Sequence, residues 1–208
     1  MSSHADSHGH GGALPEYPEK ATLEGRNKLL GFWFFLGGES VLFGSLFATF
    51  IALRGQVLDG PSPHELFNLA TVALATFILL TSSLTSVFAV QGLHRHNVKT
   101  IQMWLAVTVV LGLAFLGLEI YEFNEYVREG HKFTTSAFSS SFYTLVGFHG
   151  GHVLFGVLWI GLLMAQLVKK GLTVVTAPKI YVAALYWHFV DLVWVFIFTV
   201  VYLMGKVG

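Results

Sequence analysis

Seven ionisable side chains stand in otherwise apolar stretches of this 208-residue chain: Glu39, Glu119, Glu122, Asp191, His149, His152 and His188. Six of them form pairs three residues apart, namely Glu119 with Glu122, His149 with His152, and His188 with Asp191. On a helix that spacing puts both members on one face, so each pair can point at a neighbouring helix. Three chemistries use such residues. Carboxylates and imidazoles are suitable metal ligands, but the Glu-x-x-His spacing of di-iron bundles is missing. Histidines on two helices could also hold one haem axially, although nothing beyond residue type supports it. The third use is structural: polar pairs lock helices together and bind lipid or a partner subunit. Physical considerations favour this last reading.

Other sites are excluded more firmly. The chain has no cysteine, which removes disulfides, iron–sulfur clusters, thiolate copper sites and cysteine nucleophiles together. The nucleotide and hydrolase patterns G-x-x-x-x-G-K-[ST], G-x-S-x-G and H-E-x-x-H are also absent. His4, His8 and His10, set among Gly and Ser, read as part of a disordered, solvated tail over residues 1–28. Lys+Arg 12 against Asp+Glu 12 leaves no net charge that would draw nucleic acid.

The elements that carry the seven residues follow from composition. Hydrophobic residues are 54% of the chain and charged ones 12%, about half the charged share of a soluble protein. Mean hydropathy is +0.64. So few charges cannot cover a soluble sphere, and the chain belongs in a bilayer. Five apolar segments are expected to span it: about Leu29–Leu53, Leu66–Gln91, Thr100–Tyr126, Phe138–Val168 and Lys179–Met204. Each is long enough as a helix to cross a hydrocarbon core of about 30 Å. All five prolines fall outside them, as expected where lipid cannot replace a lost donor. The predicted fold is therefore all-α, an integral membrane bundle of five transmembrane helices over residues 29–208.

Eight Lys and Arg lie on the side of the N-terminus and four on the other, which predicts a cytoplasmic N-terminus and an outside C-terminus. Trp33, Trp104, Tyr126 and Tyr202 suit interfacial belts. Ser40, Gly44 and Ala48, and separately Gly147 and Gly151, form small-residue stripes suited to close helix packing. The hydroxyl run Thr81–Ser86 can bond back to its own helix carbonyls. Counting along the spans puts Glu119 and Glu122 at the depth of His149 and His152, so these groups are expected to meet. His188 and Asp191 lie nearer the middle and inner half. Glu39 has no evident partner, and so isolated a carboxyl is expected to be protonated.

Four blocks resemble one family. Phe142–Val153 with its Phe148-His149-Gly150-Gly151-His152 core, and Tyr186-Trp187-His188-Phe189-Val190-Asp191-Leu192-Val193-Trp194, are similar to the signatures of subunit III of haem–copper terminal oxidases. Phe115–Phe123 and Gly38-Glu39-Ser40 fit the same family. The blocks lie on four spans in family order.

The resemblance implies a role that spacing does not show. The family's complex passes electrons to dioxygen, makes water and pumps protons in aerobic respiration. Its third subunit carries no haem or copper, flanks catalytic subunit I, holds phospholipid, and supports proton uptake. Haem and copper would then lie in partner subunits I and II, with a small subunit IV as a further partner. The implied location is the bacterial cell membrane. Glu39 matches the family's carbodiimide-reactive carboxyl; Glu122, His149, His152, His188 and Asp191 match its polar positions. None would be catalytic, bind a cofactor or ligate a metal. The long form has seven helices with lipid in a cleft after the first two. Those two are absent here, as in the short five-helix form of bacillus-type oxidases, where extra helices of the catalytic subunit can fill the place. A quinol oxidase of the same superfamily is the alternative within the family, and an independent membrane haem or metal redox protein the alternative outside it.

Overall fold

The computed structural model describes residues 14–56, 69–128 and 130–207, and every regular element among them is helical. A 3₁₀ turn at Pro18–Lys20 precedes α1 (Leu23–Leu53), α2 (Leu69–His94), α3 (Val98–Arg128), α4 (Ala137–Lys170) and α5 (Thr176–Ile197). α5 continues through a π-helical stretch, Phe198–Leu203, into the short α6 (Met204–Val207). Five of these helices are long and apolar enough to cross a membrane, the last running Thr176–Leu203. The expected five-span, all-α architecture is the one observed.

The ends are set by local chemistry. Thr22 caps α1, its Oγ1 accepting from the Gly25 N–H at 3.0 Å, which starts the helix six residues before Leu29. Residues 1–13 lie outside the described residues, but part of the stretch expected as a tail, Pro18–Lys20 and Leu23 onward, is thus helical. Glu19 among them is only 1% exposed and lies 3.5 Å from His94 Nε2. His4, His8 and His10, and the beginning of the second expected span, lie outside the described residues. Ser136 caps α4 by accepting from the Ser139 N–H at 3.1 Å. Gly171, at φ +64°, ends it in the left-handed conformation that glycine tolerates best.

α5 is the centre of the bundle. It packs on α1, α2 and α4, while α2 pairs most extensively with α3, and α3 with α4. Trp187 explains how α5 also reaches α3. Its ring is fully buried, and a Cβ added at Gly112 of α3 or at Gly156 of α4 would sit 2.7 or 2.9 Å from it. Both glycines are thus slots for one indole. Its Nε1–H donates to Ser82 Oγ of α2 at 2.9 Å, so one side chain touches three helices.

The expected small-residue stripes are not the ones that pack. Ser40, Gly44 and Ala48 lie exposed on α1, and a Cβ at Gly44 or Gly151 would meet nothing within 4 Å. Close packing uses Gly112, Gly150 and Gly156 instead, because they face the bulky rings and acids of neighbouring helices. Tyr126 and Tyr202 are likewise 3% and 1% exposed. They face the bundle and do not form a belt.

Candidate functional site

The seven residues separate into three groups. The first joins α1 to α4: Glu39 Oε2 and His152 Nε2 are 3.1 Å apart, and both side chains are largely buried. His152 Nδ1 lies 2.7 Å from the Phe148 carbonyl, which can only accept, so Nδ1 carries a proton. A proton is then shared between Nε2 and Oε2, either as a neutral pair with Glu39 donating or as an ion pair. The pair is neutral overall in both forms, which suits an apolar setting. Tyr186 of α5 steadies the turn by donating to the His152 carbonyl at 3.0 Å, and the Phe43 ring meets the imidazole edge-on. Glu39 therefore has a partner that sequence reasoning missed, and His152 pairs with α1 and not with the acids of α3. A groove of about 390 Å³, lined by Phe35, Gly147, Phe148, Gly151, Phe155 and Tyr186, leads to His152.

The second group lies between α3, α4 and α5. Glu119 is 7% exposed and Glu122 is 6% exposed. The Glu119 carboxyl lies against the α4 backbone, where a Cβ on Gly150 would come within 2.5 Å of either oxygen. Tyr126, one turn beyond Glu122, directs its hydroxyl toward it. Tyr202, in the π-helical stretch, is 1% exposed and lies near enough to Tyr126, Glu122, Glu119 and Tyr143 to interact with them electrostatically. His149 is fully buried, stacked on Trp194 at 5.2 Å and edge-on to Phe115 at 5.8 Å. Neither of its ring nitrogens has a hydrogen-bond partner among the described residues. The expected meeting of acids and imidazoles on α3 and α4 is thus a near approach: Glu119 reaches Gly150, while its neighbour His149 turns into an aromatic box.

The third group joins α5 to α2. Ser83 Oγ and His188 Nδ1 are hydrogen-bonded at 2.8 Å, and Asp191 sits 4% exposed beside the same serine. The hydroxyl run does bond back to its helix, as Thr81 does to the Phe77 carbonyl at 2.7 Å. It also bonds across helices, through Ser82 to Trp187, Ser83 to His188, and Thr85 to Thr108 at 2.7 Å. Trp194 Nε1–H adds a bond to Thr76 Oγ1 at 3.0 Å.

One buried histidine lies outside the spans and escaped the sequence reading. His131, 1% exposed in the α3–α4 connection, holds Ser139 Oγ at 3.3 Å and accepts at its carbonyl from the Tyr143 hydroxyl at 2.7 Å. Burial lowers its pKa below the usual imidazole value. Its position in a polar loop gave no signal of burial. Among the described residues, no three His, Asp or Glu gather to hold a metal ion. The geometry gives polar clamps between helices: α1 to α4, α3 to α4 and α5, and α2 to α5.

Comparison with known proteins accords with this arrangement. The chain matches the family described as cytochrome c oxidase subunit III over residues 19–206. It is 64% identical over 196 residues to cytochrome c oxidase subunit 3 of Bacillus sp. (strain PS3), covering 94% of this chain and 95% of that protein. Identity to the subunit of the same name in Bacillus subtilis (strain 168) is 60%, with the same coverage. The quinol oxidase subunit 3 of Bacillus subtilis (strain 168) is 48% identical over 205 residues, covering 99% of this chain and 98% of that protein. A match that spans all five helices and all three polar clamps places the chain in the cytochrome c oxidase subunit III family, as a third subunit of a haem–copper terminal oxidase.

Proposed function

We propose that this chain serves a proton-translocating oxidase of the cytochrome c type, as its haem-free third subunit in the bacterial cell membrane. Its N-terminus is cytoplasmic and its C-terminus outside. The observation that carries the donor assignment is the greater identity to third subunits of cytochrome c oxidases than to that of a quinol oxidase, over nearly the same span. Haem and copper lie in subunits I and II, and a small subunit IV completes the assembly.

The chain's own residues hold helices and protons in place. Glu39 and His152 keep one shared proton near mid-span, where His152 lines the groove, and this pair is the chain's contribution to proton uptake. Glu119, Glu122, His149, His188 and Asp191 fix the packing of α2 to α5 and touch no reacting atom. The exposed small residues of α1, together with Gly147 and Gly151 at the groove, suit close approach by helices of subunit I or by phospholipid.

Purification from its host membrane in mild detergent tests the reading. The expected result is co-purification with subunits that carry haem and copper, and oxygen consumption driven by reduced cytochrome c. Stoichiometric haem or iron on the separated chain would overturn the accessory role. Turnover with quinol alone would overturn the donor assignment and leave the family intact.

A further inference from the structure

The segment that precedes α1 is tied to the bundle at three places. A Cβ at Gly25 of α1 would stand 2.5 Å from the Glu19 carbonyl oxygen and 3.2 Å from Pro178 Cγ of α5, so this glycine lets the segment, α1 and α5 meet. His96, just beyond α2, donates from Nε2 to the Pro15 carbonyl at 3.0 Å. The Tyr17 ring meets the His94 ring edge-on at 5.3 Å. Residues 15–21 thus form a strap from the start of α1 to the end of α2, two helices that do not otherwise pack extensively on each other.

Glu19 is buried within this strap. Its Oε1 lies 3.5 Å from His94 Nε2, and its Oε2 has no hydrogen-bond partner among the described residues. The charged groups around it are engaged elsewhere or face water. On the strap Glu16 and Lys20 are exposed, as are Arg26 on α1, and Arg95 and Lys99 near the end of α2. Glu24 of α1 is bound to Lys28, and Lys179 of α5 reaches Gln166 and the neighbourhood of Glu24. Among the described residues only His94 comes within ion-pair distance of the Glu19 carboxyl. A carboxylate so enclosed is tolerable only while the pair keeps a proton, because a buried charge without its partner is strongly disfavoured. His94 stands in the last turn of α2, where the helix dipole favours an imidazolium. The His96 bond differs in kind: a carbonyl can only accept, so Nε2–H donates whether the ring is neutral or charged.

We propose that the strap is a proton-operated latch, closed while Glu19 and His94 hold a proton between them and released from α2 once that proton leaves. Closing the strap and keeping the proton favour each other, so a rise in pH opens it. On the orientation proposed above this end faces the cytoplasm, and an alkaline cytoplasm then loosens the anchor of α1. The latch itself does not depend on that orientation.

The chain has no cysteine of its own, so spin labels can be placed at Glu16→Cys and Lys99→Cys, both exposed positions, in the full chain in detergent. Pulsed electron resonance then reads their separation. From about pH 5.5 to about pH 8.5, which brackets ordinary imidazole titration, one short separation should give way to a longer, broader one. The closed-to-open ratio should fall about a hundredfold and recover on acidification. Glu19→Gln, which leaves no charge behind, should stay closed at both pH values. His96→Asn, with a shorter donor, should loosen the strap equally at both. An unchanged separation across this range in the labelled parent, or a pH response that persists in Glu19→Gln, would overturn the latch. The comparison of pH values in the labelled parent needs no change at Glu19 or His94.

Discussion

The carboxyl of Glu119 rests on the backbone of Gly150, with both oxygens within 2.5 Å of where a side chain at that glycine would begin. An acid and a missing Cβ therefore occupy one volume between α3 and α4. Gly150→Ala must push the carboxyl aside and should cost about 1–3 kcal/mol, the usual penalty for overpacking. Glu119→Ala in the same chain should recover part of that loss. Thermal unfolding of the two single variants and the double variant in detergent measures the coupling; additive losses would mean that the contact carries no energy.

The Glu39–His152 bond leads to a second expectation. Glu39→Gln keeps a hydrogen-bonding group opposite Nε2 and should lower stability only slightly. Glu39→Leu strands a buried imidazole nitrogen and should cost about 1–3 kcal/mol, with easier loss of the subunit from the oxidase. The haem spectrum of the assembled enzyme should be unchanged in both. Subunit retention on a sizing column, read with the spectrum, checks this.

Trp187 is, with Trp194, one of the two bulkiest buried side chains among the described residues. Trp187→Ala empties the slot between Gly112 and Gly156 and should cost about 3–5 kcal/mol. Trp187→Phe loses the bond to Ser82 and part of the ring, and should fall between that variant and the parent. Unfolding temperatures in detergent provide the comparison.

His149 offers a contrast, because its ring is held by aromatic contact and not by hydrogen bonds. His149→Phe should retain the fold and association with the oxidase. His149→Ala should weaken both by leaving a cavity. If the two variants behaved alike, the ring nitrogens would be the important feature.

His131 gives the loop a dependence on pH. The unfolded imidazole takes up a proton near 6.5, whereas the buried one does so only at lower pH. Stability therefore falls as pH drops below about 6.5 and levels off once the folded site is also protonated. Unfolding temperatures measured from pH 7.5 to 5 should show this slope, and His131→Phe should reduce it.

The spans were legible because lipid imposes a single rule, an unbroken apolar stretch with every backbone group bonded internally. The seven site residues were legible for the same reason, since each is costly where it stands. Partner choice was not legible. Depth along a helix cannot tell which way a side chain faces, so His149 and His152 seemed equivalent while one met Trp194 and the other Glu39. Glycine spacing misled in the same way: Gly147 and Gly151 had the expected interval, but Gly150, one position away, faced the acid. Glu19 and His131 gave no signal, because burial at a polar loop depends on what folds over it.

The 113 positions between Glu39 and His152 have a consequence for biosynthesis. α1 leaves the ribosome first, yet the helices it packs on, α4 and α5, are made last. At about 5–20 residues per second, the Glu39 carboxyl waits roughly 6 to 23 seconds before its imidazole is synthesised. During that interval α1 must be sheltered by the insertion machinery or an already assembled neighbour, so the order of translation makes the first helix the last to be secured.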